Sequence, residues 1–323
     1  MSRILVTGAT GFVGRALSRR LLDSLHDVVC GSRDPDAAAR RFPTQTWTRF
    51  DLDDEASIEA ALEGTDVAYY LVHGMAVGED YAEREREWAI RFIDAAERAG
   101  VGRVVYLGGV EPTDEPSPHL ASRLDTGLLL RRRAAKVRVL ECRAAMIVGT
   151  GSESWRIVRD LASRLPAMVL PRWLENRSQP VALDDVIEAL VHGATSDASG
   201  VYGLPGPDTL TGEQILRITS RLKGIRPVCV SVPFVSQRLS SHWIRWVTRA
   251  DPGIAKELVQ GMSSDLVCRD TPYWSRMPSY EPTSFEPAAR RAIEAEEPTL
   301  PWTTRATEGL IRAVALSPTA DPG

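Results

Sequence analysis

The chain has 323 residues, 43% of them hydrophobic and 25% charged, enough to bury one full-sized domain or one domain with a smaller lobe. Its formal net charge of -4 provides no global positive field to hold a polyanion against salt, which excludes nucleic acid as a principal partner. No apolar run approaches the roughly 20 residues of a membrane-spanning helix, and Met1 leads straight into a strand without a basic, apolar leader, so the expectation is a cytoplasmic protein with no integral membrane segment.

Arg3 to Thr7 is a short apolar run, and Phe12 to Leu25 then places Val13, Leu17, Leu21 and Leu22 at helical spacing with Arg15, Arg19 and Arg20 opposite. Val28 to Arg33 reads as a second strand, closed by the turn signal Asp34-Pro35, and Thr46 to Asp51 as a third. A helix over Glu55 to Leu62 stops at Gly64, and Val67 to Val72 is a continuous apolar strand of the kind covered on both faces. Tyr81 to Ala99 is a long helix with Gly100 as its stop, Val104 to Leu107 a fifth strand and Leu120 to Ala135 a helix. Val137 to Val148 holds a sixth strand, interrupted by Arg143-Ala144-Ala145. Six strands alternating with helices predict an α/β chain with a Rossmann-type, doubly wound parallel sheet, because parallel neighbours need crossover helices.

Beyond Gly149 the pattern loosens. Helices are predicted over Trp155 to Leu165, Val186 to Ala194 and Thr211 to Leu222, with an irregular, proline-punctuated loop through Pro166 and Pro171 and a strand at Val201 to Leu204. Leu239 to Val247, carrying Trp243 and Trp246, is amphipathic, and a helix over Gly253 to Met262 follows. These elements supply a smaller C-terminal α/β substrate lobe. The expected division is a cofactor domain over 1–150 with 178–200 returning to it, a lobe over 151–285, and a partly ordered tail over 286–323 with a short helix around Ala288 to Glu296. Cys30, Cys142, Cys229 and Cys268 are too scattered to pair on a metal and read as reduced core thiols.

The run Thr7-Gly8-Ala9-Thr10-Gly11-Phe12-Val13-Gly14 lies between a predicted strand and a predicted helix, the context of a dinucleotide fingerprint. Gly8 suits the tight turn, Gly11 lets the backbone approach a diphosphate without a Cβ, and Gly14 allows close packing of the helix, while the helix-start amides meet the phosphates. Gly8, Ala9, Thr10, Gly11, Phe12 and Val13 are thus candidate cofactor contacts. The end of the second strand selects the nucleotide. Ser32 and Arg33 there suit a 2′-phosphate and favour NADP, whereas a register one residue later would place Asp34 on a ribose hydroxyl and favour NAD. Asp51 and Leu52 would meet the adenine, or Asp51 would cap the next turn.

With these residues the chain resembles the short-chain dehydrogenase/reductase superfamily, and more closely its atypical extended branch of NmrA-like, NAD(P)H-binding proteins. The resemblance runs through Thr7 to Gly14, Tyr69 to Met75, Tyr106 to Gly109, His119 to Arg123, Arg143 to Gly149 and Pro180 to Val186, about the first two thirds of the chain. It implies that Leu71, Val72 and His73 line the cofactor near its ribose and diphosphate, that Gly108 stands at the fifth strand end, and that Ala144, Ala145 and Met146 lie beside the nicotinamide. An ordinary loop role is the alternative for His73.

Reductases of the superfamily use a tyrosine as acid, a lysine one helical turn on and an orienting serine or threonine, because hydride delivery to a carbonyl leaves an alkoxide that must be protonated. This sequence departs from that pattern. The serine position falls on Gly108 or Gly109, the tyrosine and lysine positions on His119 and Arg123, and no Tyr-x-x-x-Lys occurs. Either His119 donates the proton and Arg123 holds the ribose or phosphate, or the trio has decayed and the protein is a non-catalytic NADP-binding redox sensor, regulator or assembly partner, or the acceptor is an activated double bond or an iminium that needs little acid. His119 as a plain helix-start residue is the bland alternative. Ser117 and Ser122 are candidate hydroxyl donors or caps, and Tyr106 reads as core. The expected function is an NADP-dependent oxidoreductase acting on a small apolar molecule.

Overall fold

The computed structural model describes residues 1–73, 81–165, 167–232 and 264–315. Strands and helices alternate through the first part of the chain: β1 (Arg3–Val6), α1 (Phe12–Leu22), β2 (Asp27–Ser32), α2 (Pro35–Arg41), β3 (Thr46–Arg49), α3 (Glu55–Leu62), β4 (Val67–Tyr70), α4 (Tyr81–Ala99), β5 (Arg103–Gly109), α5 (Pro118–Arg133) and β6 (Arg138–Ala144). There follow β7 (Ile147–Val148), α6 (Glu153–Arg164), β8 (Ala167–Pro171), β9 (Arg177–Ser178), β10 (Val181–Ala182), α7 (Leu183–Thr195), β11 (Gly200–Gly203), β12 (Leu210–Thr211), α8 (Gly212–Leu222), β13 (Val228–Val232), α9 (Phe285–Glu296) and α10 (Trp302–Ala315).

Seven strands form one sheet in the order β11-β6-β5-β4-β1-β2-β3, and every pairing in it is parallel. The chain winds outward from β1 in both directions, so the strand order reverses between β1 and β4, where ligands enter open α/β sheets. Each face has its own core. Leu17 and Leu21 of α1 pack with Val186 and Leu190 of α7 on one side; Ile58, Leu62, Phe92, Ile93 and Leu130 of α3, α4 and α5 pack on the other. Burial on both faces is why β4 and β5 carry no alternating pattern.

The strand around Val201 belongs to this sheet and not to the lobe. β11 closes the edge on β6, with Val201 opposite Glu141, after α7 has packed against α1 and Arg20 has bonded Glu188 at 2.6 Å. The interruption expected at Arg143 falls later. β6 runs through Ala144, and the chain then leaves the sheet as Val181 donates to the Met146 carbonyl at 3.0 Å and β7 pairs with β10. The proline-punctuated loop contains strand β8, since β13 offers it a parallel partner.

A third core organises the lobe: Trp155, Ile157 and Leu161 of α6, Ile215 and Leu216 of α8, and Phe285, Ala289 and Ile293 of α9. The last described segment is helical through Ala315. Its composition reads as a tail because its inner face is charged: Glu308 meets the buried Lys223 Nζ at 2.9 Å and accepts from the Ser163 hydroxyl at 3.2 Å. The stretches Leu239 to Val247 and Gly253 to Met262 lie outside the described residues, as do Gly74 and Met75.

Candidate functional site

All strand ends at the carboxyl edge of a parallel sheet lie on one side, which gathers the residues singled out above. The Thr7 hydroxyl donates to the Tyr69 carbonyl at 2.8 Å and accepts from the Leu71 amide at 3.1 Å, tying together the ends of β1 and β4. Gly8 has φ +63°, and a Cβ there would stand 2.4 Å from the Leu71 carbonyl oxygen, so only glycine fits. A Cβ at Gly14 would stand 2.2 Å from the Gly8 oxygen, which means that α1 packs on the turn itself.

Gly11 differs from both. Its backbone is extended, and a Cβ there would meet only the Gly8 oxygen, at 3.1 Å, with open space otherwise. Ala9 is buried, Thr10 and Gly11 are exposed, and Phe12 and Val13 are half-buried in the first turn of α1. No side chain caps that helix and no acid sits in its first turn. Its leading amides therefore face the open space as donors, with the positive end of the helix dipole behind them. This cradle fits a diphosphate, and it is the feature of the chain that suits a dinucleotide.

At the end of β2, the half-buried Ser32 hydroxyl makes a local turn with Asp34, accepting from its amide at 3.2 Å and donating to its carbonyl at 3.0 Å. The Asp34 carboxylate caps α2 by accepting from the Ala37 amide at 2.9 Å, and Arg33 is exposed between them. Asp51 accepts from the Asp53 amide at 3.1 Å, the capping alternative for this residue, and Leu52 is buried in the core beneath α3 and α4.

Beyond β4, Leu71, Val72 and His73 are half-buried. The His73 ring stands 6.2 Å from that of Tyr106, centroid to centroid. Burial, then the charge of Arg123, then His119 push the His73 imidazole well below its ordinary range. On α5, burial and the neighbouring Arg123 push His119 down to about 4. Such a shift favours the neutral ring near pH 7. Arg123 is pinned twice to β5, since its guanidinium donates to the Leu107 carbonyl at 3.1 Å and its own carbonyl accepts from the Tyr106 hydroxyl at 2.9 Å. Tyr106 is fully buried, as its apolar surroundings suggest.

Gly108 and Gly109 end β5, and a Cβ at Gly109 would lie 2.4 Å from Leu120 Cδ1, so Leu120 fills the space an orienting hydroxyl at that position would use. Both nearby serines make other bonds. Ser117 caps α5 through the Leu120 amide at 3.3 Å, and Ser122 is bonded to the buried Glu85. Ala144 is buried at the end of β6, with Ala145 and Met146 half-buried beside it. Sequence reasoning passed over Thr7, whose tie depends on the spacing of β1 and β4, and Arg15, which a helical wheel places among solvated arginines. Among the described residues no group of three or more His, Cys, Asp or Glu could hold a metal, and no helix is long and apolar enough to cross a membrane.

Residues 8–148 match the family model described as NAD(P)H-binding. This part of the chain is similar to that NAD(P)H-binding family. An uncharacterized protein of Mycobacterium tuberculosis is 30% identical over 226 residues, which are 68% of this chain and 23% of that protein, so the chain spans under a quarter of that relative's length. Two solved structures share the fold. The NADPH-dependent quinone oxidoreductase of Escherichia coli, in complex with NADPH, superimposes with a TM-score of 0.69 at 20% identity, over 89% of this chain and 99% of that one. The UDP-glucose 4-epimerase of Thermotoga maritima gives 0.68 at 15% identity, over 93% and 100%. The seven-stranded parallel sheet thus has the Rossmann-type fold of these structures.

Proposed function

We propose that this protein is an NADP-dependent reductase acting on a small apolar, conjugated acceptor such as a quinone or enone. In this reading residues 1–150, with 178–200, carry the cofactor, and 151–285 frame the acceptor. The preference for NADP rests on Arg33, exposed beside Ser32 at the end of β2, while the carboxylate of its exposed neighbour Asp34 is engaged in capping α2. The bound nucleotide supplies hydride; the protein supplies position and charge. Gly8 to Val13 would hold the diphosphate, Ser32 and Arg33 the 2′-phosphate, Asp51 and Leu52 the adenine side, and Leu71, Val72, His73, Gly108 and Ala144 to Met146 the nicotinamide half.

The observation that carries the choice of acceptor is the composition of the site beyond β5. Arg123 is a fixed cation flanked by His73 and His119, which its charge and their burial keep neutral. Such a group stabilises negative charge on an acceptor oxygen but does not deliver a proton at neutral pH. An enolate or hydroquinone anion is stable enough to form before water protonates it, whereas an alkoxide is too basic to form readily without a positioned acid. The quinone oxidoreductase of the same fold fits this reading.

The test is titration with NADPH and NADH, followed by turnover of a quinone and enone panel. Arg123→Gln should slow turnover by about a hundredfold, the usual cost of one oxyanion-stabilising group, and His119→Ala should slow it far less. Tight NADPH binding with no turnover of any acceptor would support the second reading, a redox sensor without catalysis, which Leu120 filling the space beside Gly109 favours.

A further inference from the structure

We propose that Arg15 is a clamp for the cofactor diphosphate, a positioning group on the solvent side of the glycine turn; this deepens the NADP-binding reading and rests on it. Arg15 lies in the first turn of α1, and its side chain folds back so that Nε donates to the Gly11 carbonyl at 3.3 Å. Its Nη2 reaches the loop after β7, standing 3.2 Å from the point a Cβ of Gly151 would occupy. Gly151 has φ +94° and lacks that Cβ, which leaves room for the fork. The Phe12 ring borders the same point at 3.4 Å. The guanidinium is thereby held at the side of the first turn of α1, between the Gly11 carbonyl and the loop at Gly151.

Charge supports the assignment. A diphosphate brings about two negative charges to the uncapped end of α1, whose dipole offers only about half a positive charge. Among the described residues Arg15 has no carboxylate within ion-pair reach, although Arg20 on the same helix is locked to Glu188. A planar fork with free donors beside a phosphate site is suited to bind two phosphate oxygens at once. Because Gly151 opens the segment leading to α6, the clamp also joins the cofactor turn to the first helix of the lobe.

The diphosphate is common to NADPH and ADP-ribose, whereas the 2′-phosphate is not, and this separates Arg15 from Arg33. In calorimetric titrations of the full chain, Arg15→Gln should weaken NADPH and ADP-ribose by the same factor, about tenfold or more, the scale of a lost charge-assisted hydrogen bond. Arg15→Lys keeps the charge without the fork and should fall between wild type and Arg15→Gln. The clamp is overturned if folded Arg15→Gln binds both ligands within about twofold of wild type, if only NADPH weakens, or if Arg15→Lys binds worse than Arg15→Gln. A wild-type protein that binds neither ligand removes the nucleotide reading itself, and the clamp with it.

Discussion

The three glycines of the turn make separable predictions, because the structure gives each a different reason for lacking a side chain. At Gly11 the backbone is extended and a methyl would press only on the Gly8 oxygen, at 3.1 Å. Gly11→Ala should therefore cost little, the small contact being offset by the roughly 0.4–1 kcal/mol that alanine recovers by restricting the unfolded chain. At Gly8 the left-handed backbone alone costs about 1–2 kcal/mol for alanine, and its methyl would meet the Leu71 carbonyl at 2.4 Å, forcing β1 and β4 apart. We expect Gly8→Ala to lose about 3 kcal/mol or more, several degrees in Tm for a chain of this size. Binding should rank the other way. Gly11→Ala places its methyl in the space offered to the diphosphate and should weaken NADPH at least thirtyfold, the equivalent of one or two amide–phosphate hydrogen bonds. Thermal melts and NADPH titration on the same preparations decide it. A Gly11→Ala protein with wild-type melting and wild-type affinity would refute the assignment of that space to a diphosphate.

Other expectations follow from single contacts. His119 titrates at about 4 in the folded protein against roughly 6.5 in an unfolded chain. The unfolded chain takes the proton first, so this contribution to stability is full above pH 6.5 and is lost as pH falls toward 4; His119→Asn should melt with a shallower pH dependence across that window, and an unchanged slope would contradict the burial of the ring. Arg33→Gln should raise the Kd for NADPH about tenfold while leaving NADH unchanged, measured by fluorescence titration. Asp34→Ala removes the cap on Ala37 and should cost about 1 kcal/mol in urea denaturation without improving NADPH over NADH. Glu308→Leu takes the nearer of two carboxylates from Lys223, whose side chain is 2% exposed and keeps Glu297 at 3.9 Å, and should cost about 3 kcal/mol, most of it regained in Lys223→Met/Glu308→Leu.

Local pattern was enough for the cofactor domain. Most strands from β1 to β6 are short apolar runs, β1 to β5 are each followed by a helix, and parallel pairing leaves few ways to arrange such a series. The glycine turn was legible for the same reason, since Gly8 and Gly14 hold contacts that a side chain would break, while Gly11 leaves open space at the helix start. The absence of a Tyr-x-x-x-Lys motif was equally plain from the sequence. Less legible were β11 and β8: a strand of four or five residues carries no mark of which sheet will take it, and the choice came from α7 packing on α1 and from the partner that β13 offers.

By itself the sequence determined a Rossmann sheet, a bare-amide turn at its first crossover and the loss of the usual acid. Only the tertiary structure decided the surroundings of the candidate site's titratable groups. An imidazole's proton affinity depends on how much water and which charges surround it, and those are set by chain segments far apart in number: His73 after β4, and His119 and Arg123 on α5, meet across the end of β5. The same holds for Arg15, one of several arginines along a helix until the loop at Gly151 folds against it.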